Sequence, residues 1–467
     1  MMLDNRIKET SGYAWVLSRL EPASPLGYAL SRVPVWFGPG MEAELEGELE
    51  RIAAVSRWEG SLRDTLCHSL SRFRDVRGTF RRDGASPMDT VELFEVKHFL
   101  LCLEDLKGIY EKNPLAGMEL PDLSDLLSLL DPEGRRLPVF SVEAAFEPSL
   151  ERIRREKKAV EEALRAASEE EREALLERRR TLTAEEDRAE FAARRRLTRA
   201  LMEEKERFLS AMDGVGRLDL VLAKEKLARK LGCTRPRIAA EPAVQVTDMV
   251  FPQVAARLEE EGRSYTPVSL CLERGSTVIT GANMGGKSIS LKAVTLNLLL
   301  MHTGFFVFAS AMSAPLFHGV HLICTDEQNA DRGLSSFGAE VAALDKVLRE
   351  GKEQFFFLAL DEFARGTNPK EGAALARALT QRLNEGDLTC VALLTTHYDG
   401  VSDAARRHYQ VAGLREGESG SAEDLNACMD YRLISAPPGT PCPRDALKVC
   451  RMMGLEEKLT ELFAENV

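Results

Sequence analysis

The sequence has no C-x-x-C pair, and its nine cysteines stand without histidines at metal-ligand spacing. That argues against a structural zinc site and for reduced thiols in a cytoplasmic protein rather than a disulfide framework. Nor is there a surplus of positive charge, since 62 Lys and Arg face 74 Asp and Glu for a net charge of -12. A general electrostatic attraction to nucleic acid is therefore excluded, and any such binding needs a local basic surface. The opening MMLDNRIKETSGYAWVLSRL lacks a basic flank followed by an apolar core and a small-residue cleavage site, so no secretion signal is read there. The most apolar long run, Ala293 to Ala309, is broken by Asn297, His302 and Gly304, which argues against a membrane span. Glycine and proline are both missing from Ser149 through Asp213, where Glu, Arg, Ala and Leu dominate, and such a stretch reads as long helix.

What remains is the composition of a soluble globular protein, 44% hydrophobic and 29% charged, and 467 residues are enough for two or three domains with large cores. Ser276-Thr277-Val278-Ile279-Thr280 is short, β-branched and apolar, which predicts a buried strand, and Ser288 onward has the apolar density of a helix packed on a sheet. Between them Gly281-Ala282-Asn283-Met284-Gly285-Gly286-Lys287-Ser288 fits G-x-x-x-x-G-K-[ST] at every fixed position. Its glycines let successive N–H groups turn inward toward phosphate oxygens, with the positive end of the next helix behind them. Lys287 is then placed to pair with the β and γ phosphates of ATP and the Ser288 hydroxyl to complete the coordination of Mg²⁺.

Phe355 to Leu360, followed by Asp361-Glu362, predicts a central parallel strand that delivers two acids to the carboxyl edge of the sheet, where nucleotides bind in α/β folds. Asp361 is the candidate to hold Mg²⁺ through water and Glu362 to polarise the attacking water. Val391 to Thr396 predicts another buried strand, tipped by His397, which is placed to contact the γ-phosphate or the lytic water.

These residues resemble the MutS family of ATPases. The loop TGANMGGKS is similar to that family's TGPNMGGKS, Leu360-Asp361-Glu362-Phe363-Ala364-Arg365-Gly366-Thr367 to its DE-x-GRGT segment, and Thr395-Thr396-His397-Tyr398 to its switch-histidine motif. Gly333-Leu334-Ser335-Ser336-Phe337 with Glu340 resembles its serine-bearing signature loop, and Tyr431-Arg432-Leu433, Ala446 to Val449 and Gly454-Leu455 resemble its closing segment. The resemblance runs over about Glu241 to Leu462. Ala282 replaces the usual proline, Ile289 a threonine, Ala364 a glycine, and Asn368-Pro369 stand where Ser-Thr is usual, but none of these changes removes a phosphate, metal or base ligand. The resemblance implies an ABC-like α/β P-loop domain that hydrolyses ATP with Mg²⁺. It also implies a dimer, with itself or with a MutS-like partner, in which Ser335 and Ser336 face the phosphate loop of the second subunit, and it places Tyr265 against the adenine ring. On the residues alone, Ser335 or Ser336 is equally a helix N-cap and Tyr265 ordinary packing.

Before that domain the chain reads as all-helical. Residues 1–148 form a helical core or lever region with a turn-rich connector, 149–240 a helical hairpin arm with a returning helix from Leu218 to Leu231, and 241–467 the ATPase domain. Thr183 with Glu186 three residues on reads as a capping box, which breaks the long helical run into two antiparallel arms at that point. Nothing before Met41 resembles the family's Phe-x-Glu mismatch reader, so no mismatch recognition of that kind is expected. Two clients fit: duplex or branched DNA held by the helical arms, or an adenosylcobalamin-dependent aminomutase reactivated by a MutS-like protein that does not use DNA.

Overall fold

The apolar runs singled out above become neighbouring strands in the computed structural model, which describes residues 4–82, 86–281, 285–324, 336–414, 429–442 and 446–466. Residues 1–20, 34–53 and 224–467 make one unit, and residues 21–33 and 54–223 the other. The described strands are β1 (Arg237–Ile238), β2 (Val244–Met249), β3 (Val268–Leu272), β4 (Gly275–Thr280), β5 (Ala311–Ala314), β6 (Gly319–Cys324), β7 (Phe356–Asp361), β8 (Cys390–Thr396), β9 (Arg407–Leu414) and β10 (Met429–Ala436), all in the first unit. Six of them form a sheet of order β10-β9-β4-β8-β7-β6, parallel except at the β10 edge, and the other four a sheet of order β1-β5-β2-β3.

Residues of β4 and β8 are buried at every position, and those of β7 at every position before Asp361. A parallel sheet covered on both faces requires this, and it is why these strands carry no charged residue before their ends and do not alternate apolar with polar. Register does the rest: Thr280 pairs with Thr396, and Asp361 with Thr395. The last residues of three strands are thereby level at one carboxyl edge, where Gly281, Glu362 and His397 follow them.

Behind the phosphate loop the helix Lys287–His302 is buried almost all round, as a helix packed in the interior of a large domain must be. Its polar residues are satisfied. Asn297 donates to Ala293 O (2.9 Å) and accepts from Phe308 N (2.7 Å), while His302 holds Leu298 O through Nδ1 (2.8 Å) and accepts from Phe317 N through Nε2 (2.8 Å). That pair of contacts fixes the neutral Nδ1–H tautomer, and burial pushes the imidazole down to about 4. The unfolded chain, with a pKa of about 6.5, takes up the proton first. Stability from this site is therefore complete above pH 6.5 and is lost as the pH falls toward 4, by roughly 3 kcal/mol across the window. Urea unfolding midpoints from pH 7.5 to 4.5 should fall accordingly and should fall less steeply for His302→Gln; equal slopes would remove His302 as the cause.

Residues 1–20 and 34–53 belong with the C-terminal sequence because of contacts that span more than 250 residues. Tyr13 donates its hydroxyl to Thr303 Oγ1 (3.0 Å), and Phe37 N donates to His302 O (2.8 Å). No local periodicity encodes such pairings.

In the second unit the helix Thr90–Tyr110 starts with a capping box formed by Asp89 and Glu92 and buries Leu93, Val96, Phe99 and Leu103. The helices Ser149–Ala166 and Glu169–Glu203 run antiparallel, since Arg154 reaches Glu186 and Glu190 while Glu156 and Glu161 meet Arg178 and Arg179. Along the pair Leu150 and Ile153 are buried near the base and Leu182 further out, while Val160 and Leu164 are half-exposed. The expected break at Thr183 is corrected: the chain turns at Ala167, the functioning capping box is Ser168 with Glu171, and Thr183 lies inside the second helix with its hydroxyl donating to Arg179 O. The returning helix is longer than expected, Lys205–Leu231, and Gly232 ends it at φ 68°. Among the described residues no helix is long and apolar enough to cross a membrane.

Candidate functional site

The site begins with the backbone of the phosphate loop. Gly281 has φ 144° and Gly286 φ 78°, both in the region that side chains disfavour. A Cβ on Gly281 would also stand 3.0 Å from Val411, and one on Gly286 3.2 Å from the Tyr431 ring. Gly285 is buried at the end of the loop. Asn283 and Met284 lie outside the described residues. The first helical residue is Lys287, 3% exposed, with Nζ donating to Gly281 O (2.7 Å) and standing 3.7 Å from Glu362 Oε1. Burial drives the ammonium below the ordinary lysine range, against the opposing pull of Glu362 and Asp361.

One carboxylate oxygen organises the metal end. Asp361 Oδ1 accepts from Ser288 Oγ (2.8 Å) and from Thr395 Oγ1 (2.7 Å). Ser288 and Asp361 thus present a hydroxyl and a carboxylate side by side, hard oxygen donors that fit Mg²⁺ and not a thiophilic metal. Thr395 had been given no role from the sequence. It is buried at the register position opposite Asp361, and its Oγ1 also accepts from Glu362 N (3.1 Å), so one hydroxyl orients both acids. Its signal in the sequence was a hydroxyl at the polar tip of an apolar strand.

Glu362 is the hub of the other end. Its carboxylate lies 3.7 Å from Lys287 Nζ, 3.7 Å from His397 Nδ1 and 3.0 Å from the Arg365 guanidinium. Among these, Lys287 and Glu362 are well buried, whereas His397 and Arg365 reach solvent. The backbone here is strained: Glu362 has φ 47° and Ala364 φ 65°, a left-handed conformation that costs a residue with a Cβ about 1 kcal/mol or more. Ala364 is the position at which the resembling motif carries glycine.

Three further side chains border the loop without having been foreseen in that role. The Tyr431 ring faces Gly286. His408 bridges Thr280 Oγ1 (2.8 Å) at the end of β4 and Pro437 O (3.1 Å). The Cys442 thiol, pushed up to about 11 mainly by burial, stays protonated near Lys287 and so does not compete with phosphate for it.

Tyr265 is not brought against the phosphate loop by any contact described. It is half-buried, and its hydroxyl, pushed up to about 12 by burial, bonds to the backbone of Phe251. Ser335 lies outside the described residues; Ser336 is the first residue of the helix Ser336–Glu350, and its side chain lies outside them too. A cavity of about 590 Å³ runs along β6 and that helix, is lined by residues such as His321, Ile323, Lys346 and Glu350, and has no described phosphate-loop residue in its lining.

Residues 277–457, which include every element of this site except Tyr265, match the family model for MutS domain V. The chain is 32% identical over 270 residues to the endonuclease MutS2 of Thermomicrobium roseum, an alignment covering 56% of this chain and 33% of that protein. To the endonuclease MutS2 of Clostridium botulinum it is 31% identical over 259 residues, 54% of this chain and 30% of the relative. The match to the same-named protein of a Geobacillus species is 28% over 277 residues, 58% and 33%. The chain thus spans about a third of the length of the curated relatives it matches. Residues 277–457 are thus similar to the ATPase domain of the MutS family.

Proposed function

We propose that the chain is an ATP-hydrolysing conformational switch that acts on DNA structure. The observation that carries the ATPase reading is the convergence of Lys287, Ser288, Asp361, Glu362 and His397 at one sheet edge around a glycine-built loop. Bound ATP would replace Gly281 O and Glu362 as the partner of Lys287, with the β and γ phosphates taking the ammonium. Ser288 and, through water, Asp361 would hold Mg²⁺, which supplies neutralisation of the phosphate charge. Glu362 would orient the water that attacks the γ-phosphorus as the bond to the ADP oxygen breaks. His397, within reach of the same carboxylate, would sense whether the γ-phosphate is present.

A second copy is proposed to complete the site, its Ser335–Ser336 segment meeting the γ-phosphate, so that ATP joins two subunits and ADP does not. Mixing a subunit carrying Ser335→Ala and Ser336→Ala with one carrying Lys287→Ala should restore part of the ATPase activity through one intact composite site. Failure of complementation would count against the shared site.

The relatives' name, endonuclease, gives nucleic acid as their substrate class. We carry the nucleic acid to this chain and not the cleavage, because the alignment leaves about two-thirds of each relative's length outside it. The helical hairpin of the second unit is the proposed lever. Titration of duplex and branched DNA with salt, with and without ATP, tests the client. If the protein neutralises six or more phosphates, affinity should fall on the order of 10³-fold between 50 and 200 mM salt. An absence of salt-dependent DNA affinity in every nucleotide state would overturn DNA as the client and leave a protein client, such as the aminomutase considered above, as the reading to test.

A further inference from the structure

We propose that Glu340 is a positioning residue for Glu362, holding the strained turn that aims the Glu362 carboxylate and thereby letting the helix Ser336–Glu350 set the rate of hydrolysis. The inference rests on the ATPase reading above and concerns its regulation.

The turn after β7 contains two non-glycine residues with left-handed backbone, Glu362 and Ala364, within three positions. Such a conformation persists only where surrounding groups over-determine it. Here the groups come from two directions. From the β8 end, Thr395 receives Glu362 N on both its carbonyl and its hydroxyl (3.1 Å each), and Tyr398 donates its hydroxyl to Ala364 O (3.3 Å). From the helix Ser336–Glu350, Glu340 Oε2 receives Ala364 N (3.2 Å). Glu340 is 5% exposed and Ala364 fully buried, so water is poorly placed to replace this bond. Gly372 closes the last side: a Cβ there would stand 2.8 Å from both Ala364 O and the Tyr398 hydroxyl.

Consequently the turn that carries the Glu362 side chain is held at Ala364 N by Glu340 and at Glu362 N by Thr395, two acceptors on different elements. A shift of the helix Ser336–Glu350 pulls on Ala364 N while β8 holds Glu362 N, and the torsion is taken up between them, across Glu362 and Phe363. Glu340 does not touch the phosphate loop in any contact described, so its removal should misplace Glu362 without weakening the grip of Lys287. Misplacement by about 1 Å typically costs up to 10²-fold in rate.

Steady-state ATP hydrolysis and nucleotide affinity measured on the full chain decide the matter. Glu340→Ala should lower kcat by about 10- to 100-fold with nucleotide Kd within a few-fold of wild type. Glu340→Gln, which keeps an acceptor oxygen for Ala364 N, should lose no more than a few-fold. Ala364→Gly removes the steric cost of the left-handed turn, so the double variant Glu340→Ala/Ala364→Gly should recover part of the lost kcat, and urea midpoints of the single and double variants separate this from a change in general stability. Should Glu340→Ala be poorly folded, the comparison of Glu340→Gln with Glu340→Met, similar in size but without the acceptor oxygen, carries the same contrast. Wild-type kcat in Glu340→Ala, or equal losses with and without Ala364→Gly, would overturn the positioning role while leaving the ATPase reading intact. If the wild-type chain itself hydrolyses no ATP, the fault lies with the ATPase reading instead.

Discussion

Lys287→Ala is expected to abolish ATP hydrolysis and to weaken nucleotide binding by about 10- to 100-fold, the loss that follows from removing one charge-assisted contact worth about 1.5–3 kcal/mol. The catalytic effect should be larger than the binding effect, because a buried cation stabilises the charge that develops as the phosphate departs, and losing such a group costs about 10²–10³-fold in rate. The arrangement of the site explains why no neighbour can substitute. Lys287 is 3% exposed and already held by Gly281 O and Glu362, so the ammonium is pre-positioned and partly desolvated. Arg365, the other cation at Glu362, is largely exposed and approaches the opposite carboxylate oxygen. Alanine at 287 would also leave Glu362 and Asp361 without their buried counter-charge, so the phosphate would enter a more negative site. Fluorescent-nucleotide titration and phosphate release measure the two effects separately, and wild-type turnover in the variant would remove Lys287 from its assigned place.

The same residues show why some of this was readable from the chain and some was not. Gly281, Gly286 and Lys287 announce themselves because one backbone conformation demands that spacing. Asp361, Glu362 and His397 stand out because they are the first titratable side chains at or just after the end of a doubly covered parallel strand. By contrast Thr395, Glu340, Tyr431 and Cys442 matter through contacts between residues far apart in sequence, and each has an ordinary local reading. The misplaced helix break has a similar origin. In a Glu-rich run Ser168-x-x-Glu171 and Thr183-x-x-Glu186 carry the same signature, and only the extended backbone of Ala167 and Ser168 separates them. A threonine inside a helix can instead bond back to the preceding turn, as Thr183 does with Arg179 O.

Glu362→Gln should separate binding from chemistry in the opposite sense to Lys287→Ala. Loss of the carboxylate that orients water is expected to lower kcat by about 10²–10⁴-fold. Nucleotide affinity, however, should hold or rise. Glutamine keeps the size of the side chain and its place under Thr395, while the negative charge 3.7 Å from Lys287 Nζ disappears, which frees the ammonium for phosphate and removes repulsion against the γ-phosphate. The variant should therefore accumulate with ATP bound and, if two copies share the nucleotide, as a stable ATP-dependent dimer visible by light scattering. ADP should produce no such dimer. Single-turnover hydrolysis with parallel binding measurements checks both halves, and normal turnover would exclude Glu362 as the residue that positions water. Because the two variants move affinity in opposite directions while both suppress turnover, together they distinguish a site that grips phosphate through a buried lysine from one in which these residues merely hold the sheet edge together.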